Sequence, residues 1–474
     1  MINRFIIFPF LILIFCIVFF NFEIHGKLIT DKGKLEKCEI KEKIKLSKES
    51  GIEELKAILR FAQENNLSVS IAGVQHSQGG HTFSKDGIVL DLSNWDEIEI
   101  LDSKTIRVQA GARWKKVIEI LNALGLSVMI MQSDYDFSVG GTISVNAHGW
   151  QANKAPIVQS IKGLHLMLAN GDVIYCNWNT NRELFLSTIG GYGLMGIIID
   201  VDLEVITNVN YNFRSITINS KDFIKIFNKE IENNQNAELF YGRFSLDSKH
   251  FLDKIILGMF EKEGPLISKE VLKSGKCLNK FVGYFFAKTQ ECDFLKRLRW
   301  EVESNRNYGL YFNARSRNQI FYHSAEMYLN REKDKTDVLQ EYFIPIERFE
   351  EFTGYLKSLE KELKENLLNI TIRHIKKDNF TLLRYASEDV LSFVMFFRIP
   401  LNIENDEKLK KLAQKLIDKA IELGGSYYLP YRPYPRMDQF RICYPKVSEF
   451  LKIKKHYDPM DRFQNCFYRE YMQL

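Results

Sequence analysis

Gly73-Val74-Gln75-His76-Ser77-Gln78-Gly79-Gly80 is the stretch on which the reading of this chain turns. It follows a short apolar strand pattern, Ser68 to Ala72, and brackets one histidine and one serine with glycines. A backbone so little obstructed by side chains approaches a ligand closely and turns its N–H groups onto phosphate oxygens. Two more glycine-rich loops follow: Ser138-Val139-Gly140-Gly141, running on to His148-Gly149, and Gly190-Gly191-Tyr192-Gly193 to Gly196. Three such loops in one block exceed what chain turns alone require.

Around the loops the periodicity predicts an α+β arrangement. Ser50-Gly51-Ile52-Glu53 has capping-box form and opens an amphipathic helix to about Asn66. Strand-like runs come at 67–72, 88–92 and 105–110, then a helix from Trp114 to Leu124. Asn170-Gly171 between two apolar runs is a hairpin signal, and Ile197 to Val205 reads as another strand. Strands of mixed spacing exclude a regular βαβ repeat. After Thr207 the chain turns rich in phenylalanine, tyrosine and lysine, with helices expected near 354–366 and 405–423. These shifts divide it into 1–26, 40–207, 208–438 and a tail, 439–474.

The 474 residues are 45% apolar and 26% charged, ordinary values for globular domains, and a net charge of +5 gives no nucleic-acid stripe. Phe5 to Phe20 is an apolar run behind Arg4, with no small-x-small cleavage site after it. It predicts a membrane-anchored protein held by a single N-terminal segment; a cleaved signal and a buried helix are the alternatives. Lys27, Lys32, Lys34 and Lys37 outnumber Arg4 and tilt the orientation toward a cytoplasmic body, with the side left open. The seven cysteines (16, 38, 176, 277, 292, 443 and 466) show no zinc spacing and demand no disulfide.

Gly191-Tyr192-Gly193-Leu194-Met195-Gly196 spells G-x-G-x-x-G, but its context is inverted. A dinucleotide fingerprint sits between a strand and a helix, whereas here a helical stretch precedes and Ile197-Ile198-Ile199 follows. His76, His81 and His148 lack carboxylate or thiol companions at ligand spacing, so no metal site is expected.

Taken together, the three loops resemble those of the vanillyl-alcohol-oxidase-type (PCMH) FAD-linked oxidoreductases, over roughly residues 45–207 and the tail. The family's first loop, G-x-x-H-S-x-x-G, is matched by Gly73, His76, Ser77 and Gly80, with Val74, Gln75 and Gly79 between them. Its second, S-x-G-G followed by H-G, is matched by Ser138, Gly140, Gly141, His148 and Gly149, with Ser144 between. The third loop contributes Gly193 and leads to Ile198, and Asp458-Pro459-Met460-Asp461-Arg462-Phe463-Gln464-Asn465 resembles the D-P-x-x-R-F-x-N ending of sugar-lactone and alditol oxidases. The resemblance implies a two-domain FAD-binding fold with 208–438 as substrate cap, these residues and Asn465 as FAD contacts, and covalent FAD through His76. A second, cysteinyl bond is not implied, because no cysteine lies between Cys38 and Cys176.

Sugar-alcohol oxidases of the family carry E-x-R on a cap strand, where this chain has Thr371-Ile372-Arg373 and loses the carboxylate. Gly424-Gly425-Ser426-Tyr427-Tyr428-Leu429 resembles a segment of decaprenylphosphoryl-ribose oxidases, G-G-x-x-Y-L-x-K, with the lysine lost, and leads to Arg432. The resemblance implies oxidation of a CH–OH group in a polyol, sugar or sugar-lactone-like substrate, lipid-linked if the anchor is real, with hydride passing to flavin N5. Arg373 or Arg432 would stabilise alkoxide charge and Tyr428 would relay the proton. The electron acceptor would be O2, a quinone or a carrier protein. The alternatives are a quinone- or carrier-coupled dehydrogenase and a flavin-binding protein whose altered cap has lost catalysis.

Overall fold

The computed structural model describes residues 27–49, 51–265, 271–273, 288–290, 292–305, 315–324, 330 and 332–473. Helix Ile52–Glu64 buries Leu55, Ile58, Leu59 and Ala62, the single apolar stripe its periodicity demands. Its N-cap is Gly51, with no side-chain cap; Ser50 lies outside the described residues. The helix crosses between parallel strands of a three-stranded sheet, ordered Glu42–Lys45, Ile88–Asp91, Val69–Ala72. Strand Val69–Ala72 then releases the chain into the Gly73–Gly80 loop.

The next sheet is antiparallel, in the order Val173–Asn177, Ile161–Met167, Ile197–Thr207, Thr105–Gln109, Ile98–Asp102, with Leu126–Val128 paired beside the long Ile197–Thr207 strand. Asn170-Gly171 does turn a hairpin here. Gly171 adopts φ +87°, a conformation that glycine takes without steric cost. Strand Ile197–Thr207 is continued past Asn208 by Val209–Asn219, which belongs to a separate sheet.

That third sheet has eight antiparallel strands. Its order is Arg315–Ser316, Val209–Asn219, Lys254–Pro265, Ala237–Phe244, Leu367–Ile375, Val390–Pro400, Lys335–Pro345, Ser426–Tyr427. Val390–Pro400 is apolar almost throughout and almost wholly buried, as a strand in the middle of the sheet must be. Helices cover one face. Phe349, Phe352 and Leu356 of helix Phe349–Ser358 are fully buried, and Phe352 meets Phe393 edge-on with ring centroids 4.8 Å apart. Burial of each such ring contributes about 1.5–3 kcal/mol, which accounts for the aromatic richness of this half. The single helix expected at 354–366 is two, Phe349–Ser358 and Glu360–Lys364, because the buried stripe starts at Phe349 and breaks at Leu359. The expected 405–423 helix is Ile403–Glu422, capped by the Asn402 side chain on Asn405 N–H.

The C-terminal tail returns to the first sheet. Val69 N–H donates to Arg462 O at 2.7 Å, Gln464 N–H donates to Val69 O at 3.1 Å, and the Arg462 guanidinium donates to Ala62 O at 3.0 Å.

The membrane expectation is corrected. Among the described residues no helix is long and apolar enough to cross a membrane, and Phe5–Phe20, on which the anchor rested, lies outside them.

Candidate active site

A cavity of about 1330 Å³ opens between the glycine loops and the uncovered face of the eight-stranded sheet. It exceeds an ordinary small-molecule pocket and has room for a dinucleotide together with a substrate. The loop side is lined by Gly73, Val74, Gln75, His76 and Ser77, by Ser138, Gly140, Gly141, Ser144 and His148, and by Gly193 and Ile198. The sheet side shows a period of two: Phe213 and Ser215, Tyr241 and Arg243, Asn369, Thr371 and Arg373, Val394 and Phe396, Leu339 and Glu341. Alternate side chains of a strand share one face, so five strands aim their residues into a single space.

At the loop end, none of the backbone N–H groups of Gly73 to Ser77 has an acceptor among the described residues. Gln75 holds φ +54° there, which bends this run of donors. The approach of the loops leaves no room for side chains: a Cβ on Gly73 would lie 2.2 Å from Ser138 Oγ, and one on Gly140 2.7 Å from Ala110 Cβ. His76 stands over Phe137, ring centroids 4.2 Å apart, and Lys32 donates to its Nδ1 at 2.9 Å. A lysine ammonium only donates, so Nδ1 is the acceptor and the ring hydrogen sits on Nε2. Burial, joined by the charges of Lys32 and Arg113, pushes the imidazole down to about 3, and it is neutral at physiological pH.

The sheet end holds a buried polar cluster in which sequence reasoning named His148 and Arg373 and missed Glu341 and Tyr431. Glu341, 2% exposed, accepts from His148 Nε2 at 2.7 Å, from the Ser392 hydroxyl, and from the Tyr431 hydroxyl at 3.1 Å. Burial would raise its carboxyl. The hydrogen bonds from His148 Nε2 and Ser392, with the charge of Arg373, outweigh that and hold it below the usual carboxylate range. Arg373 reaches Ser133 Oγ at 3.4 Å, and its Nε–H is buried with no partner among the described residues. Thr371-Ile372-Arg373 has no carboxylate of its own, and the acid that lines the cavity with Arg373 stands in Lys335–Pro345, two strands away. Counting G-G-x-x-Y-L-x-K from Gly424 puts Tyr431 at the lysine's place, a signal that was available in the sequence.

Other expected residues stand elsewhere. Arg432 does not line the cavity: its guanidinium pairs with Glu36 at 3.0 Å and Asp406 at 2.9 Å. Tyr428 does line it, but its hydroxyl donates to Val145 O at 2.9 Å and is committed there. Gly79, Gly80 and Gly149 lie behind the lining. Asn465 caps the last helix, Cys466–Tyr471, and donates to His81 O and Tyr192 O, tying the tail to the first and third loops.

Comparison with known proteins gives the class. Residues 50–177 match the profile of the family described as FAD binding domain. The chain is 23% identical to decaprenylphosphoryl-beta-D-ribose oxidase of Mycolicibacterium smegmatis over 85% of its own length and 89% of that protein. It is 28% identical to L-gulonolactone oxidase of Scyliorhinus torazame and 29% identical to D-arabinono-1,4-lactone oxidase of Yarrowia lipolytica, each over 33% of this chain. The latter two matches span 36% and 31% of the relatives' own lengths. The structure of 6-hydroxy-D-nicotine oxidase from Arthrobacter nicotinovorans shares the fold, with a TM-score of 0.63 over 93% of this chain and 97% of that one, at 16% identity. The protein is an FAD-dependent oxidoreductase whose residues 50–177 form an FAD binding domain of the PCMH type. The loops fit that cofactor: the N–H groups of Gly73–Ser77, without an acceptor among the described residues, would face its pyrophosphate, and Gly140 and Gly193 keep the wall bare.

Proposed function

We propose that the protein oxidises a CH–OH group of a polyol, sugar or sugar-lactone-like substrate, held between the FAD loops and the eight-stranded sheet. FAD, when bound, supplies the acceptor for the hydride that leaves the carbinol carbon. The chain's own task is to orient that carbon and to take up the alcohol proton. The observation that carries the reading is the cavity cluster of Glu341, His148, Tyr431 and Arg373. Glu341 is ionised and fully hydrogen-bonded, so it fixes His148 as a donor through Nε2 and leaves His148 Nδ1, buried and unpartnered, as the atom that accepts a proton. Arg373 faces the same space and stabilises alkoxide charge as the proton departs. The aromatic side chains Trp150, Tyr241 and Phe213 line the cavity and would cover the C–H faces of a sugar ring.

Attachment of FAD through His76 belongs to the same proposal. The neutral imidazole on the bare loop is the form able to act as nucleophile, and its lone pair is the Nδ1 one that accepts from Lys32, so a bond to FAD there would displace that contact. Acid precipitation of the purified protein tests it: yellow colour retained in the pellet supports the bond, and colour released contradicts it. Substrate class is tested by anaerobic flavin bleaching with alditols, sugar-1,4-lactones and phosphoryl-β-D-ribose compounds, the last included because of the relative that aligns over 85% of the chain. Bleaching by none of them would contradict the substrate reading.

A further inference from the structure

We propose that Cys38 and Cys466 are a redox pair which closes to a disulfide and clamps the N-terminal hairpin onto the FAD-binding loop. Their sulfurs lie 3.6 Å apart although the residues are 428 positions apart in sequence, a separation that no cysteine spacing rule detects. Both pack with Ile40, Ala72, Phe83 and Val89 in a small apolar cluster behind the loop. A disulfide needs sulfurs at about 2.05 Å, so rotation of the two side chains has about 1.5 Å to close.

Cys466 opens the last helix, and its N–H donates to Gly80 O at 3.1 Å and Phe83 O at 2.9 Å. A Cβ on Gly80 would lie 2.6 Å from Cys466 Cβ, so the end of the FAD loop rests directly on this cysteine. Cys38 pairs with Ile29 in the Lys27–Thr30/Lys37–Ile40 hairpin. The turn of that hairpin carries Lys32, which holds His76, and Gly33, whose carbonyl accepts from the Thr336 hydroxyl at 2.6 Å. One bond would therefore join the hairpin and the tail behind the loop, and both the hairpin turn and the loop line the cavity.

Hydrogen peroxide is the oxidant proposed. One thiol takes one peroxide oxygen to become a sulfenic acid, releasing water. The second sulfur then displaces hydroxide from that sulfenic sulfur, forming the S–S bond and a second water. Two thiols lose two electrons and two protons, and one peroxide is reduced to two waters. The hydrogen bond from Cys466 and the charge of Arg469 lower the Cys38 thiol against its burial, favouring the thiolate that such attack requires. Cys176 and Cys443, by contrast, are pushed by burial up to about 12 and serve as inert internal controls.

The test uses full-length holoprotein treated with dithiothreitol or with hydrogen peroxide, then alkylated with N-ethylmaleimide and mapped by peptide mass spectrometry. A peptide linking Cys38 to Cys466 after peroxide, absent after dithiothreitol, is expected. Tryptic cleavage after Lys32 and Lys34 should also slow by about threefold or more on oxidation of wild type, with no peroxide effect in Cys38→Ser. Cys466→Ser replaces that variant if it fails to fold, and the wild-type map stands without either. Alkylation of both thiols after peroxide, pairing only with other cysteines, or a linked pair with unchanged cleavage would overturn the proposal.

Discussion

Glu341 Oε1 and His148 Nε2 lie 2.7 Å apart, joining a strand of the eight-stranded sheet to the second glycine loop across the cavity. Both side chains are almost fully buried, 2% and 5% exposed, so the contact is made without competition from solvent. Arg373 lines the same cavity.

Arg373→Lys keeps the positive charge and removes the planar fork. We expect flavin reduction to slow by about 10–100-fold, with FAD content unchanged, because only stabilisation of developing oxyanion charge is weakened. Stopped-flow reduction beside the flavin:protein absorbance ratio checks both halves.

Arg432→Ala separates structural from chemical roles. Arg432 is 8% exposed and holds Glu36 to Asp406, so its removal strands two carboxylates and should cost about 3–5 kcal/mol. A lowered Tm with a little-changed limiting rate of flavin reduction is the expected result. A large rate loss at full stability would return Arg432 to the chemistry.

Gly140→Ala forces a methyl to within 2.7 Å of Ala110 Cβ and 3.0 Å of Ala110 O, backbone that cannot yield. Overpacking of this kind costs about 1–3 kcal/mol and pushes the second loop into the space FAD requires. Flavin content after purification should fall severalfold, read from the absorbance spectrum.

While it carries no flavin bond, His76 should make the protein acid-sensitive. Its native pKa, about 3, lies below the ordinary 6.5, so between these values the unfolded chain binds the proton that the native state refuses. Stability is therefore undiminished above pH 6.5 and declines as pH falls toward 3. Urea titrations of the FAD-free protein at stepped pH should show wild type losing stability relative to His76→Gln over that window; a constant difference would contradict the buried neutral imidazole.

The first half of the fold was legible because local chemistry fixes it. The Gly73–Gly80 and Gly140–Gly141 loops need bare backbone, and Asn170-Gly171 needs a positive φ, whatever the rest of the chain does. The sheet side of the site was not legible, because it is assembled by convergence. Glu341 stands in Lys335–Pro345 with no motif around it, and only the pairing of that strand with Val390–Pro400 brings it near Arg373. A lone acid next to the buried run Tyr342-Phe343-Ile344 was the available hint, since a buried charge demands partners. Arg432 misled for the converse reason: its sequence position follows Tyr431 into the site, while its guanidinium turns back to Glu36.

Anaerobic stopped-flow reduction of the bound flavin, wild type against Glu341→Gln, tests the central claim most directly. The amide keeps the shape of Glu341 and removes the charge that positions His148 for proton uptake. We expect FAD content to be retained and the reduction rate by an active polyol or sugar substrate to fall by about 10²–10⁴-fold. A variant that bleaches at the wild-type rate would contradict the assignment of this cluster to the chemistry.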